Sequence, residues 1–301
     1  MRKLLNRLAV GATALLALAA GTTAAAESAS AAPTGAKAPA SVCSDPTWGG
    51  RYFCGGAYGN GETWVNLPNG ERQVFVVGTN HQMYTQWIYK YHHGSGWQSM
   101  GGVLDSWVTV RQYDGAAFST VSIGSDGKAW ARDRGPSGNW TEWHAVGSGY
   151  FVFDKNASDP SDSRMTWFWA RNNGGTPLVG SETWRAGSGM GSENDCYSNN
   201  GWLPNGWYNG YEHSTYWSSI IPTMNWELSD KACSRGTVTR SALFIHSKTP
   251  SSWAHAPNPY HSNGCIHLSP SDILTADRYS RAHGGPGYGT HFYRNLVLVT
   301  Q

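Results

Sequence analysis

The sequence predicts a mainly β protein, with a short N-terminal β-repeat module followed by a β-sandwich-like catalytic domain that carries one short helix. Its composition favours strands and turns, since the 301 residues include 37 Gly, 16 Trp and 15 Tyr but only 14% charged residues. A repeat in the first half and short alternating apolar segments in the second half point to the same class.

The N-terminus predicts an export signal. The basic start MRKLLNR precedes an apolar stretch at 8–20, which is too short to remain as a membrane span, and Ala-Ser-Ala at 29–31 fits a small-residue cleavage site. No later run approaches the ~18 consecutive apolar residues of a membrane helix. We therefore expect residues 1–31 to be a signal peptide and the mature protein to be secreted, without a membrane span.

Residues 32–42 are rich in Pro and Ala and predict a linker, and the segment 43–147 that follows repeats itself. VFVVGTNHQMYTQW is echoed by STVSIGSDGKAWAR at an offset of 46 residues, which places Gly78 in register with Gly124. A period of this size is typical of β-propeller blades, and the unit resembles those of small secreted lectin-like propellers. Two blades cannot close a ring. The module must therefore be a minimal β unit, pack on the second half or complete itself through oligomerisation, and its aromatic residues either bind sugar or serve as a spacer.

The five cysteines are interpreted in the light of export, because an oxidising compartment favours disulfides and an odd count leaves one sulfur over. Proximity along the chain pairs Cys43 with Cys54 and Cys196 with Cys233, and it leaves Cys265 as a free thiol. Other sets of two bridges remain open at this point.

The charge balance argues against a dedicated nucleic-acid binder. The chain has 22 basic and 20 acidic residues, with a net charge of +2 and no clustered basic stripe.

Residues 148–301 predict the catalytic domain. The segments YFVFDK and MTWFWAR read as a strand pair, GWLPNGWYNG as a turn that leads into a strand, and RSALFIHS as a buried strand that ends on His246. The helix is predicted within 268–285, where Ser269 or Ser271 can act as the N-cap and Pro270 suits the first turn.

The stretch YHSNGCIHLSPSD at 260–272 raises the possibility that Cys265 is a nucleophile. A thiol with a pKa of about 8.5 needs a base to form the attacking thiolate, and backbone N–H groups must then stabilise the developing oxyanion. Gly264 permits a sharp turn beside the sulfur, and His246, at the end of a strand, is the natural base. The alternative from the residues alone is an inert buried thiol.

His246 and the later segment SNGCIHLSPSD together resemble the signature of the L,D-transpeptidase catalytic domain. That family carries a His, about fifteen residues, Ser/Thr-His-Gly-Cys, a hydrophobic residue and then Asn or Arg. This sequence keeps His246, fifteen intervening residues, Ser262, Gly264, Cys265 and Ile266. The upstream GWLPNGWYNG resembles the family's Thr-Pro-x-Gly-x-Tyr strand, with Leu203 in place of the Thr.

The resemblance implies a role for each matching residue. Cys265 is the acyl-accepting nucleophile, His246 is its general base, and the carbonyl of Ser247 orients the imidazole. The amides of Asn263, Gly264 and Cys265 form the oxyanion hole beside Ser262. Two positions depart from the family pattern: Asn263 replaces a His, and His267 replaces an Asn or Arg, where it either holds the loop or supplies a second base.

The resemblance therefore implies a cell-wall enzyme that cross-links peptidoglycan stem peptides through a Cys265 thioester, needs neither metal nor organic cofactor, and is inactivated by carbapenems. The repeat module either holds wall glycan or serves as a spacer. An L,D-carboxypeptidase with the same site, an endopeptidase that cleaves within stems and a non-catalytic wall-binding protein remain alternatives. A serine hydrolase is disfavoured because no G-x-S-x-G elbow is present. A zinc site is disfavoured because the candidate ligands show no tight C-x-x-C or H-E-x-x-H spacing; these candidates are His255, His261, His267, His283, His291 and Cys265.

Overall fold

The computed structural model describes residues 40–89, 94–113, 115–147, 149–213, 221, 223–285 and 292–300. The predicted signal peptide, 1–31, and most of the predicted linker lie outside these residues. The predicted mainly β class is confirmed, with strands forming several sheets.

The described chain begins with a two-stranded hairpin. Strand β1 (Ser41–Cys43) pairs antiparallel with β2 (Tyr52–Cys54), and the Cys43–Cys54 disulfide joins them. The linker predicted at 32–42 therefore ends earlier than expected, because its last two residues are already hydrogen-bonded into a strand.

The 46-residue repeat corresponds to two four-stranded antiparallel sheets. The first contains β3 (Glu62–Asn66), β4 (Arg72–Val77), β5 (Met83–Ile88) and β6 (Gln98–Gly101), and the second contains β7 (Thr109–Gln112), β8 (Phe118–Ile123), β9 (Ala129–Arg134) and β10 (His144–Ala145). The same packing contact explains the glycine in both copies of the repeat. A Cβ at Gly78 would lie 2.8 Å from the Tyr84 ring, and a Cβ at Gly124 would lie 2.8 Å from the Trp130 ring.

The second half closes into a barrel of eight strands. Its strands are β11 (Tyr150–Asp154), β12 (Ser163–Asn173), β13 (Thr176–Ser188), β14 (Gly206–His213), β15 (Asn225–Leu228), β18 (Leu243–His246), β19 (Ile266–His267) and β20 (Phe292–Thr300), with the small hairpin β16 (Lys231–Ala232) and β17 (Thr239–Arg240) outside the ring. The ring order is β11-β12-β13-β19-β18-β15-β14-β20, and parallel pairing of β20 with β11 closes it. The β-sandwich-like arrangement expected from the sequence is thus a closed barrel, because the first and last strands pair and leave no open edge.

The repeat module packs on the barrel. Strand β11 alternates, so that Phe151 and Phe153 point into the barrel core while Tyr150 and Val152 face outward. The outward residues share an apolar cluster with β8, including Val121. This contact corresponds to one of the three arrangements that the sequence left open, in which the module packs on the second half.

Two α-helices follow strand β18. Helix α2 (Pro270–Ala282) is the predicted helix, and the Ser269 hydroxyl caps it by accepting a hydrogen bond from the Asp272 amide at 3.1 Å. The sequence did not predict the shorter α1 (Pro250–Ala254), although it begins with Thr249 as the cap and Pro at the first position. In the part of the chain that the structure describes, no helix is both long and apolar enough to cross a membrane.

Candidate active site

Cys265 lies immediately before β19, next to the strand that ends on His246. Strands β18 and β19 run parallel, with Ile245 opposite Ile266 and His246 opposite His267. Both isoleucines belong to the barrel core. Since side chains alternate along a strand, Cys265 and the two histidines face the other way. These three side chains line one cavity of about 600 Å³.

The Cys265 sulfur is a buried free thiol, as predicted, and it is 9% exposed. It donates a long hydrogen bond to the Ala242 carbonyl, with a sulfur–oxygen distance of 3.7 Å. Burial raises the pKa of the thiol to about 11, while the Phe244 amide and the Arg240 guanidinium act in the opposite direction. The resting sulfur is therefore protonated at neutral pH.

The His246 imidazole has the carbonyl neighbour that the resemblance implies. Its Nδ1 lies 3.3 Å from the Ser247 carbonyl oxygen. Burial lowers the pKa of His246 to about 4, so the ring is neutral at pH 7. Because a carbonyl oxygen only accepts hydrogen bonds, this contact favours the tautomer with the proton on Nδ1 and a lone pair on Nε2.

The second ring nitrogen of His246 faces another histidine. The Nε2 atoms of His246 and His267 lie 3.0 Å apart, with the ring planes almost perpendicular. His267 Nδ1 lies 3.3 Å from the Pro259 carbonyl oxygen. Burial, followed by the charge of His246, lowers the pKa of His267 well below its usual range. His246 Nε2 thus faces His267, whereas the Cys265 thiol donates to the Ala242 carbonyl and accepts from the Phe244 amide.

Ser262 holds the loop that carries the thiol. Its hydroxyl oxygen accepts hydrogen bonds from the amides of Gly189 and Gly264, each at 3.1 Å, and its O–H donates to the Cys265 carbonyl at 2.6 Å. The Gly264 amide, which the resemblance places in the oxyanion hole, is thus engaged with Ser262. Two of the expected donors, the amides of Asn263 and Cys265, remain for that role.

A side chain at position 264 is excluded by Arg240, a residue that was not identified from the sequence. Its φ of +110° lies in the region that favours glycine, and a Cβ there would collide with the Arg240 guanidinium. Arg240 is 4% exposed. It donates hydrogen bonds to the carbonyl oxygens of Asp195, Trp202 and Asn263 at 2.8, 3.3 and 3.1 Å. A single Arg in a β-rich segment gives no motif that would have identified it.

The cavity around the thiol carries positive charge. Arg240 and Lys248 line it together with His261, and the described lining residues include no Asp or Glu. Such a surface favours an anionic ligand, because a carboxylate would meet cations without a competing acid.

Both predicted disulfides, Cys43–Cys54 and Cys196–Cys233, are present. Asp195 brings a carboxylate within 4.8 Å of the sulfurs of Cys196 and Cys233. Because those sulfurs are bonded to each other, they are not thiolate ligands.

The other histidines weighed as metal ligands occupy separate places. His255 Nδ1 lies 2.7 Å from the Ser251 carbonyl oxygen, and His283 stacks on Trp169 with an interplanar angle of 3°. His291 lies outside the described residues.

No family model matches the chain, and no curated protein matches it significantly. The function of this chain is therefore inferred from the residues of the site and from the motif resemblance.

Proposed function

We propose that this protein is a secreted peptidoglycan L,D-transpeptidase that forms cross-links through a Cys265 thioester. The observation that carries the proposal is one cavity lined by a free thiol and by His246, whose Nδ1 faces the Ser247 carbonyl. The order and spacing of His246, Ser262, Gly264 and Cys265 supply the reaction class.

The reaction begins when the thiol leaves the Ala242 carbonyl and transfers its proton to imidazole. The Cys265 thiolate attacks the carbonyl of the third residue, a diamino acid, of a tetrapeptide stem. The amides of Asn263 and Cys265 receive the oxyanion charge. The imidazolium of His246 returns the proton to the departing D-alanine amine, and the thioester remains. An amine of a neighbouring stem then attacks the thioester carbonyl and gives a proton to the neutral imidazole. The C–S bond breaks, the thiolate takes that proton back, and the cross-link remains.

The charge of the cavity supports this class of substrate. Stem peptides carry carboxylates, and Arg240 and Lys248 provide cations beside the thiol. The two disulfides support the secreted location, because such bonds persist in oxidising compartments.

Acylation by a carbapenem tests the proposal directly. Intact mass spectrometry of the carbapenem-treated mature protein should show a single covalent adduct, and Cys265→Ala should show none. A thiol reagent run in parallel must confirm that the unreacted protein still carries one free thiol. If the thiol is present and no adduct forms, the proposal is wrong and the non-catalytic wall-binding alternative is favoured.

Product analysis separates the catalytic alternatives. Purified tetrapeptide muropeptides should yield cross-linked dimers, together with free D-alanine. Tripeptides without dimers would identify an L,D-carboxypeptidase, and fragments cut within the stem would identify an endopeptidase.

The repeat module supports a second proposed contact, with wall glycan. Trp130 and Trp143 line a cavity of about 330 Å³ that includes Asp126, and the Trp130 indole N–H donates to Asp126 at 3.1 Å. Aromatic faces beside a carboxylate suit sugar rings, which offer both apolar faces and hydroxyls. Trp143→Ala should weaken co-sedimentation with purified sacculi, whereas carbapenem acylation should be unchanged. If Trp143→Ala and the unaltered protein co-sediment equally with sacculi, the proposed glycan contact is wrong.

A further inference from the structure

Three of the polar contacts of the His246–His267 pair each require a proton. Each Nδ1 faces a carbonyl oxygen, Ser247 for His246 and Pro259 for His267, and the two Nε2 atoms face each other at 3.0 Å. A carbonyl oxygen accepts but never donates, so each Nδ1 contact needs its proton on nitrogen. The contact between the two Nε2 atoms needs one proton shared between two lone pairs.

Two neutral imidazoles do not have enough protons for these contacts. Each neutral ring carries one N–H, so the pair has two protons for three positions. With both Nδ1 atoms protonated, two lone pairs face each other. With one Nε2 protonated, the Nδ1 of that ring faces a carbonyl oxygen with its lone pair. A third proton satisfies all three contacts and leaves one positive charge on the pair.

We propose that His267 is a positioning residue for His246, and that the two rings together hold the proton of Cys265 between their Nε2 atoms. This inference rests on the proposed acyl transfer. The S–H bond breaks and an N–H bond forms, so that thiol and neutral pair become thiolate and singly charged pair with no change in total charge. When the amine departs, it takes the shared proton and the pair returns to two N–H groups.

The surroundings explain why both charges arise together. Lys248 opposes a positive pair electrostatically, and the described lining of the cavity includes no Asp or Glu. The thiolate of Cys265 is therefore the anion available to balance the pair, and Arg240 favours that thiolate. His261 also lines the cavity, and its backbone is hydrogen-bonded to the His267 ring. A proton transfer within the cavity avoids leaving either buried charge alone.

The pH profile of Cys265 alkylation tests this role separately from transpeptidation. Iodoacetamide labelling, followed by intact mass spectrometry of the full chain, reports the thiolate fraction. His267→Gln keeps an N–H donor for His246 Nε2 but cannot share a proton. We expect its labelling inflection to move up by one pH unit or more, with a rate about tenfold lower near pH 7. His255→Gln is the matched control, since that ring lies at the end of α1 with its Nδ1 on the Ser251 carbonyl and does not line the cavity, and its profile should equal that of the unaltered protein.

An unmoved inflection in a folded His267→Gln protein would overturn the inference, because a structural role alone lowers the melting temperature without changing the profile. If this variant fails to fold, ¹⁵N NMR of the histidine rings in the unaltered protein decides. The two rings should share one positive charge over the pH range in which the thiol is ionised, and this charge should be lost in Cys265→Ala. Identical ring titrations in the two proteins would sink the pair.

The carbapenem assay distinguishes failure of the histidine pair from failure of the proposed transpeptidase function. An adduct together with an unmoved inflection overturns the histidine pair and leaves the transpeptidase proposal intact. A moved inflection without an adduct retains the pair and overturns the proposed function.

Discussion

The Arg240 guanidinium is hydrogen-bonded to the loop that carries the thiol, with its Nη2 donating to the Asn263 carbonyl oxygen at 3.1 Å. Its hydrogen bonds within the described part of the chain go to main-chain carbonyls, and the Asp195 carboxylate acts on the guanidinium electrostatically. Arg240 therefore links the shape of the loop with the ionisation of Cys265. It fixes the backbone on one side and favours the thiolate on the other.

Replacing Arg240 should slow the thiol as well as destabilise the protein. Arg240→Gln removes the charge that lowers the pKa of Cys265, so we expect several-fold slower iodoacetamide labelling near pH 8. Each carbonyl left without a donor should cost about 1–3 kcal/mol, measured as the free energy of unfolding in urea. Arg240→Lys keeps the charge with fewer hydrogen bonds, and it should recover more of the labelling rate than of the stability. Equal labelling by all three proteins would contradict the electrostatic role.

Gly264 should not tolerate a side chain. Gly264→Ala would introduce a Cβ against the Arg240 guanidinium at a φ of +110°. We expect a loss of carbapenem acylation and a lower melting temperature, because the loop must move away from Arg240. Gly191→Ala is the matched control, with a φ of +102° and no atom within 4 Å of the added Cβ. If the two variants lose equal stability and both retain acylation, backbone conformation alone explains the glycine.

The local features of the site were predictable because each depends on residues that are close together in the sequence. The two disulfides, the helix capped at Ser269 and the strand ending on His246 each depend on short-range patterns. Pairing the other four cysteines by proximity along the chain then left Cys265 as the free thiol.

The features that depend on distant partners were not predictable. Barrel closure depends on pairing between Phe151 and Val297, for which alternating apolar residues give no register. The position of Arg240 beside Gly264 and the contact between His246 and His267 arise only when separate segments meet. The His267 departure was visible in the sequence, but its partner was not.

The Cys196–Cys233 disulfide should support the site as well as the fold. It closes a loop with a sequence separation of 37, for which the chain-entropy model gives about 4 kcal/mol. The same segment positions Asp195, whose carbonyl accepts from Arg240. Replacing both cysteines with Ser should therefore lower the free energy of unfolding and also slow labelling of Cys265.

The Cys43–Cys54 pair is the matched control for this prediction. Its sequence separation of 11 gives about 3 kcal/mol on the same model, and it lies in the N-terminal hairpin. Its double Ser variant should lose stability without changing the labelling rate of Cys265. If both double variants label Cys265 at the same rate, the Cys196–Cys233 disulfide does not support the site.

Glu212 should make stability fall as the pH rises toward neutrality. Its carboxylate lies between β14 and α2, where it accepts from the Trp226 indole at 3.2 Å and lies 3.7 Å from Arg281. Burial, together with the charge of Asp277, raises its pKa from 4.5 to about 7. The folded protein therefore keeps a proton that the unfolded chain has already released between these two values. The contribution is complete below about pH 4.5 and is lost as the pH rises to about 7.

Urea unfolding across the range pH 4–8 measures this contribution. Glu212→Gln keeps the hydrogen-bond acceptor and removes the titration, so its free energy of unfolding should rise relative to that of the unaltered protein between pH 4.5 and 7. His246 and His267, whose pKa values burial lowers, contribute the opposite slope in both proteins, so the difference between the two profiles reports Glu212. Glu182→Gln is the control on the same barrel, since that side chain is exposed on β13, and it should retain the slope of the unaltered protein. If the difference between Glu212→Gln and the unaltered protein stays constant across this window, Glu212 is charged in the folded barrel and the prediction is wrong.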